Sequence, residues 1–227
     1  KMPGKVIKIK VLDGHTLDGY LAAPTGAPRG GLLVLQEIFG VTAHMRHVTD
    51  EFAAHGFLAL APALFDRLKP GTELPYTRID EGRTLMQQLA INDVASDLAG
   101  AAAALRAQLP AGAKVGAVGY CWGGAIADLA ACRTDVNAAV AYYGRANVGW
   151  LNEQPLCPIL YHFGGKDPLI PPEIVAQIRN GRPGAPAFVY PDAGHGFSCD
   201  ERPEFHEPSH RLALERTLAF LGNHLGQ

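Results

Sequence analysis

The segment Gly119-Tyr120-Cys121-Trp122-Gly123-Gly124 lies between a predicted buried strand, 114–119, and a predicted helix, 122–133. It matches a Gly-x-nucleophile-x-Gly turn with cysteine at its centre. Glycine is needed two residues before and two residues after Cys121 because the strand and the helix approach closely there. The turn presents the thiol at the carboxyl edge of the sheet, where the helix N-terminus favours a thiolate. A buried structural cysteine is the alternative, but the flanking strand and helix and the additional Gly124 favour a nucleophile.

Apolar segments and helical segments alternate on both sides of this turn. The apolar segments are continuous, which is typical of strands buried in a parallel sheet; they are residues 31–35, 57–61, 114–119, 138–143, 159–163 and 188–190. Helical spacing separates them at residues 43–55, 80–109, 122–133, 171–180 and 208–224. This order predicts an α/β fold, with a mostly parallel central sheet and helices on both faces, in a single domain spanning residues 1–227.

Shorter segments of the sequence predict a hairpin and a break between two helices. Residues 6–22 alternate around Asp13-Gly14 and predict a β-hairpin with one polar face. The helical pattern at 80–109 predicts a break near Ile91, with Asn92 or Asp93 capping the second helix.

Composition narrows the class of protein. The 227 residues are 48% apolar and 19% charged, which excludes intrinsic disorder. The net charge of −2 predicts no nucleic-acid and no membrane partner, since either normally requires a clustered basic surface. No apolar run approaches the roughly 18 residues of a transmembrane helix, and the N-terminus lacks the apolar centre of a signal peptide. We therefore expect a cytoplasmic protein with reduced thiols at Cys121, Cys132, Cys157 and Cys199.

Two later loops carry an acid and a histidine in the chain order nucleophile, acid, histidine. Asp167 follows a predicted strand in a Gly-Gly-Lys-Asp-Pro segment, and His195 follows the next predicted strand between two glycines. In a triad of this kind the histidine takes the thiol proton, and the acid orients the imidazole and stabilises its cation. Asp192, three residues before His195, is the rival acid. We favour Asp167 because it has a loop of its own.

Four segments together resemble the dienelactone hydrolase family, also called carboxymethylenebutenolidases, over nearly the whole chain. They are Gln36-Glu37-Ile38-Phe39-Gly40, Gly119–Gly124, Gly164–Asp167 and Gly194-His195-Gly196-Phe197. The resemblance implies an α/β-hydrolase fold and hydrolysis of an enol-lactone ester without a metal or an organic cofactor. It also implies that Cys121 is the nucleophile, His195 the base and Asp167 the orienting acid.

The resemblance also implies roles for residues beside the triad. Glu37 matches a family glutamate that interacts with the nucleophilic thiol, and a carboxylate there is expected to hold the resting thiol protonated until substrate displaces it. Such a gate would protect Cys121 from oxidation between turnovers; a surface glutamate without this role is the alternative. Ile38 matches a position whose backbone N–H is an oxyanion donor. The backbone N–H of Trp122, at the start of a helix, is the other expected donor.

The sequence departs from the family in its arginines. Family members that hydrolyse dienelactone bind the substrate carboxylate with arginines, one of them four residues after the catalytic histidine, and Cys199 stands at that position here. We expect Arg78 or Arg83 to supply a cation, whereas Arg202 is out of register. The resemblance therefore predicts the reaction class better than it predicts the substrate. A neutral ester or lactone fits the sequence as well as an anionic one.

The expected partner is a small-molecule ester or lactone, bound by a monomer or a weak homodimer. Tyr143, which ends a buried strand, and Phe39 are expected to line its pocket, with core packing as an equal interpretation of Tyr143. Two other functions stay open. The same cysteine could attack phosphorus in a phosphotriester, or the chain could be a non-catalytic ligand-binding relative, which the presence of all three triad residues disfavours.

Metal binding is the least favoured interpretation of the histidines. The pairs His44/His47 and His206/His210 have the helical spacing of zinc ligands. Neither pair has a third ligand at a spacing characteristic of metal sites, and the chain contains no Cys-x-x-Cys motif. We therefore expect no metal site.

Overall fold

The computed structural model describes residues 4–226, which contain one sheet of eight strands and six α-helices. The strands are β1 Lys5–Lys10, β2 Thr16–Ala22, β3 Gly31–Leu35, β4 Leu58–Pro62, β5 Val115–Tyr120, β6 Ala138–Tyr142, β7 Ile159–Gly164 and β8 Ala187–Tyr190. The helices are α1 Ala43–Ala54, α2 Ile79–Gln88, α3 Ile91–Ala107, α4 Trp122–Arg133, α5 Pro172–Gly181 and α6 Glu207–Leu225.

The sheet is mostly parallel, as predicted. Its strand order is β1-β2-β4-β3-β5-β6-β7-β8. The predicted hairpin is present, with β1 antiparallel to β2, and β2 also pairs antiparallel with β4. All other neighbouring strands pair in parallel. The carboxyl ends of β3, β5, β7 and β8 therefore reach the same edge of the sheet, and Glu37, Cys121, Asp167 and His195 follow these four strands in turn.

Both faces of the sheet centre are covered. Leu32, Leu33, Val34 and Leu35 of β3 are all completely buried. Because successive side chains of a strand point to opposite faces, this burial requires packing on both sides. The continuous apolar segments of the sequence follow from the same requirement, and the α/β architecture with helices on both faces is confirmed.

The break between α2 and α3 lies close to the predicted position, but the predicted cap is wrong. Ala90 is the N-cap residue of α3, and it makes no side-chain capping hydrogen bond. The Asn92 side chain instead accepts a hydrogen bond of 2.7 Å from Arg133 of α4. A contact between two helices has therefore taken the place of a local cap.

None of the helices in residues 4–226 has the length and hydropathy required to cross a bilayer.

Candidate active site

Cys121 joins the end of β5 to the start of α4 in a strained backbone conformation. Its φ is +60° and its ψ is −123°, a combination that residues with a side chain rarely adopt. A Cβ added to Gly119 would lie 1.7 Å from the carbonyl oxygen of Gly123, and one added to Gly123 would lie 2.3 Å from that of Leu35. Only glycine fits at these two positions. The turn therefore has the close approach of strand and helix that the sequence pattern predicts.

Three side chains from separate loops meet at this turn. The Nε2 of His195 lies 3.1 Å from the Sγ of Cys121, and its Nδ1 lies 2.7 Å from Oδ2 of Asp167. The Asp167 carboxylate is completely buried, and its Oδ1 accepts a hydrogen bond of 2.9 Å from the backbone N–H of Leu169. One imidazole thus contacts the thiol with one nitrogen and a fixed carboxylate with the other.

The surroundings of His195 favour its charged form. Burial lowers the pKa of this imidazole, but the neighbouring Cys121 sulfur and the hydrogen bond with Asp167 outweigh the burial and raise the pKa to about 10. An imidazolium beside a sulfur atom favours the thiolate over the thiol. The contact between Nε2 and Sγ therefore has the geometry for proton transfer between the thiol and the imidazole.

The rival acid lies outside this cluster. The side chain of Asp192 is 72% exposed and faces Lys166, with 3.9 Å between their charged atoms. Asp167 is the carboxylate that contacts the histidine. Asp192 shares the loop of His195 but points to solvent, which a sequence separation of three residues does not reveal.

The loop after β3 lies directly against the start of α4. Added Cβ atoms show this proximity, since one on Gly123 would also lie 2.4 Å from the carbonyl oxygen of Gln36. Ile38 belongs to this loop, and Trp122 is the first residue of α4. The Trp122 N–H has no partner within its helix, as is usual for a first turn. These are the two backbone donors that the sequence analysis selects for an oxyanion.

Glu37 is buried beside the cluster and contacts other groups than the thiol. Its Oε1 accepts a hydrogen bond of 3.1 Å from the hydroxyl of Tyr76, and its Oε2 lies 3.7 Å from the guanidinium of Arg202. Burial raises the pKa of the Glu37 carboxyl, although the nearby Arg202 guanidinium and His44 side chain oppose this rise. Among residues 4–226 no hydrogen bond joins Glu37 to Cys121, although the resemblance implies an interaction between them.

The expected substrate arginines lie elsewhere, and a different arginine occupies the site. Arg78 is 65% exposed and pairs with Glu81, and Arg83 is exposed on the same helix, α2. Arg202 is instead 11% exposed at the side chain and lies beside Glu37. Arg78 and Arg83 therefore lie outside the buried cluster, and the expectation that one of them supplies a cation for the substrate stays a prediction. Successive turns after His195 bring Arg202 to its position beside Glu37, although it is out of register with the family arginine in the sequence.

Tyr76 and Cys199 are the other two members of the buried polar cluster around Glu37 and Arg202. Tyr76, which the sequence analysis missed, holds Glu37 from an irregular segment with no recognisable pattern. Cys199 is completely buried, and burial together with the Glu37 charge raises its thiol pKa to about 12. Cys199 is therefore a neutral thiol and does not replace the missing family arginine.

The two aromatic residues expected at the pocket are almost completely buried. Phe39 packs edge-on against Tyr76 at 4.7 Å, and Tyr143 packs edge-on against His195 at 5.3 Å between ring centroids. Each is only 1% exposed. Their burial favours the packing interpretation, in which Phe39 supports the ring of Tyr76 and Tyr143 supports the ring of His195. Tyr143 also has a positive φ of 38° and a buried hydroxyl without a hydrogen-bond partner.

Comparison with known proteins shows the family of the chain. The model of the dienelactone hydrolase family matches residues 17–225. The chain belongs to this family. A carboxymethylenebutenolidase from Pseudomonas putida is 34% identical over 223 residues, which cover 95% of this chain and 94% of the relative. The chain is therefore an enzyme of the hydrolase class.

Solved structures extend the comparison to the fold. A candidate dienelactone hydrolase from Klebsiella pneumoniae superposes with a TM-score of 0.87 at 29% identity and covers 98% of this chain and 100% of its own. A dienelactone hydrolase-like promiscuous phosphotriesterase from metagenomic libraries has a TM-score of 0.77 at 20% identity, with 99% and 100% coverage. At that identity the second likeness shows the shared α/β-hydrolase fold alone.

Proposed function

We propose that this chain hydrolyses small carboxylic esters or lactones through a covalent thioester on Cys121. The observation that carries the proposal is the position of His195, between the sulfur of Cys121 at 3.1 Å and the carboxylate of Asp167 at 2.7 Å. The carboxymethylenebutenolidase relative supports the ester or lactone as substrate class. A thiolate is an effective nucleophile toward an ester carbonyl, and the adjacent imidazolium supplies the proton that the leaving group requires.

The first half-reaction forms the acyl-enzyme. The Cys121 thiolate attacks the carbonyl carbon, and the electron pair of the C=O double bond moves to the oxygen. The backbone N–H groups of Trp122 and Ile38 are the donors for this oxyanion. When the C=O bond reforms, the ester C–O bond breaks, and the alkoxide takes the proton from His195 Nε2. In a lactone the resulting hydroxyl stays attached to the acyl group.

The second half-reaction releases the acid. His195 is now neutral and accepts a proton from a water molecule, whose oxygen attacks the thioester carbonyl. The tetrahedral intermediate expels the Cys121 thiolate, and the imidazolium is restored beside it. Asp167 keeps the ring orientation through both halves, because its carboxylate is buried and hydrogen-bonded to the chain. The reaction consumes one water and returns the enzyme to its starting state.

A phosphotriester is the second candidate substrate. One structural neighbour is described as a promiscuous phosphotriesterase, and the site supplies the same elements that attack on phosphorus requires. The thiolate would displace an aryloxide from phosphorus, leaving an S-phosphoryl cysteine, while the two backbone donors hold the phosphoryl oxygen. Hydrolysis of this adduct needs a water on the face opposite the sulfur. We place this activity second because the full-length relative in the same family is named for a lactone-opening reaction.

Stopped-flow kinetics with an activated aryl ester test the proposal. We expect a burst of one equivalent of phenolate per active site, followed by slower turnover, and an acyl mass adduct on the peptide that contains Cys121. A non-catalytic binding protein would give neither. Matched neutral and anionic esters in the same assay determine the substrate charge, and an aryl phosphotriester determines whether a phosphoryl adduct forms on Cys121.

A further inference from the structure

A small cavity lies between α1, α6 and the loop after His195. Its volume is about 30 Å³, and its polar lining residues are His44, Glu51, His55, Ser198, Asp200 and His210. Volume of this size accommodates a water molecule or a monatomic ion. Each of the two helical histidine pairs in the sequence contributes one member, His44 or His210, to this cavity.

Three polar atoms at this cavity are buried without a hydrogen-bond partner among residues 4–226. They are Nδ1 of His44, Oγ of Ser198 and Nδ1 of His210. His44 is 4% exposed and Ser198 is 5% exposed. Leaving a buried polar atom unpaired is costly, so three such atoms around one cavity indicate a binding site for a water molecule or an ion.

Two carboxylates stand beside the unpaired His44 nitrogen. His44, Asp200 and Glu201 each offer one ligand atom, and these atoms all lie within 4.8 Å of one another. The Nδ1 of His44 is 3.4 Å from Oδ1 of Asp200, and their geometry does not form a hydrogen bond. Two ligand atoms on a tetrahedral ion with bonds of about 2.1 Å are roughly 3.4 Å apart. The distance between the two atoms therefore matches that of two ligands on a shared metal ion.

We propose that His44, Asp200 and Glu201 bind a divalent transition-metal ion of the zinc class at the mouth of this cavity. One neutral imidazole and two carboxylates carry a charge of −2, which a divalent ion neutralises, and mixed nitrogen and oxygen ligands suit ions of this class. Three protein ligands leave a fourth position for water. The unpaired Ser198 Oγ and His210 Nδ1 are then available as partners for that water.

The ion would join two parts of the chain that carry active-site residues. His44 lies at the start of α1, just after the loop of Glu37, and Asp200 and Glu201 lie between His195 and Arg202. An ion held by both would fix the Arg202 loop against α1. This role is separate from ester hydrolysis, so metal binding and the proposed catalysis succeed or fail independently.

Cobalt(II) titration of the full-length, chelator-treated enzyme tests the proposal. We expect one equivalent of Co²⁺ to give d–d absorption without a sulfur-to-cobalt charge-transfer band, and Zn²⁺ to displace it. His44→Gln and Asp200→Asn should each raise the dissociation constant by at least about tenfold, the scale on which supporting residues of metal sites act. His47→Gln is the matched control, since His47 lies on the same helix but is 64% exposed, and its affinity should equal that of the wild type.

Three results would overturn the proposal: no binding at one equivalent, unchanged affinity in Asp200→Asn, or a charge-transfer band that places the ion on a thiolate such as Cys121. The Asp200→Asn variant is decisive if His44→Gln fails to fold, because the Asp200 side chain is 58% exposed and its substitution leaves the core unchanged.

Discussion

The Nε2 of His195 lies 3.1 Å from the Sγ of Cys121, although 74 residues separate them in the chain. The two residues follow strands β8 and β5, which are separated in the sheet by β6 and β7. The loop after β8 must therefore cross the edge of the sheet to deliver the imidazole to the thiol. This contact is the basis of the first prediction.

Replacing Cys121 by alanine should abolish ester hydrolysis and leave the fold intact. Loss of a triad nucleophile typically lowers kcat by about 10⁴ to 10⁶, and alanine adds no bulk at the strained turn. Steady-state kinetics with an aryl ester, together with circular dichroism, measure both effects. Cys121→Ser should be much slower than the wild type without necessarily losing all activity, because serine needs stronger base assistance. A Cys121→Ala enzyme that keeps more than a tenth of the wild-type kcat would exclude Cys121 as the nucleophile.

Asp167→Asn should damage catalysis far more than Asp192→Asn. The Asp167 carboxylate contacts Nδ1 of His195 at 2.7 Å, whereas the Asp192 side chain is 72% exposed. Loss of the orienting acid costs about 10⁴ in kcat in a serine triad, because the imidazole takes the wrong tautomer. Asp192→Asn is the matched control and should stay within about twofold of the wild type, as expected for a surface change. Equal losses of kcat/KM in the two variants would contradict the assignment of Asp167.

The pH dependence of acylation should depend on the leaving group. Contacts with Cys121 and Asp167 raise the pKa of His195 to about 10 despite its burial. An alkyl ester needs the imidazolium proton, so its kcat/KM should fall as the pH rises past about 10. A nitrophenolate leaves without a proton, and its kcat/KM should not share that fall. A decline for the alkyl ester near pH 6.5, the ordinary pKa of histidine, would show that the imidazolium is not stabilised by this pair.

Glu37→Gln should increase the reactivity of Cys121 toward iodoacetamide near neutral pH. A carboxylate close to the thiol disfavours the thiolate, whether or not it moves to contact the sulfur during a gating step. Removal of its charge should therefore raise the alkylation rate and hasten inactivation by peroxide. Glu204→Gln is the control, because the Glu204 carboxylate lies 3.4 Å from the same Arg202 guanidinium but is 40% exposed. Alkylation of Glu37→Gln at or below the wild-type rate would reject the gating hypothesis.

The same variant should also change the pH dependence of stability. Burial raises the pKa of Glu37 in the folded chain above its value in the unfolded chain. Between these two values the folded state binds more protons, so the free energy of unfolding of the wild type falls as the pH rises through this range. A glutamine side chain at this position cannot titrate. The Tm of Glu37→Gln relative to the wild type should therefore increase from about pH 4 upwards, and a constant difference would contradict a raised Glu37 pKa.

The fold was predictable because its evidence is local. Burial on both faces of β3 requires a continuous apolar segment, and the turn at Cys121 requires glycine at Gly119 and Gly123. Each requirement is met within a few residues of the chain. The sequence also predicted that Asp167 and His195 lie at the same edge of the sheet as Cys121. Both residues follow later parallel strands, and parallel strands end at the same edge.

The order of residues by itself determined the α/β class and the loops that carry Cys121, Asp167 and His195. Only the tertiary structure decided that Arg202, not Arg78 or Arg83, lies beside Glu37, and that Tyr76 holds this carboxylate. It also brought His44 of α1 close to Asp200 of the loop after His195. These contacts depend on the path of irregular loops, along which sequence separation does not fix distance, whereas strand and turn patterns are imposed by neighbouring residues.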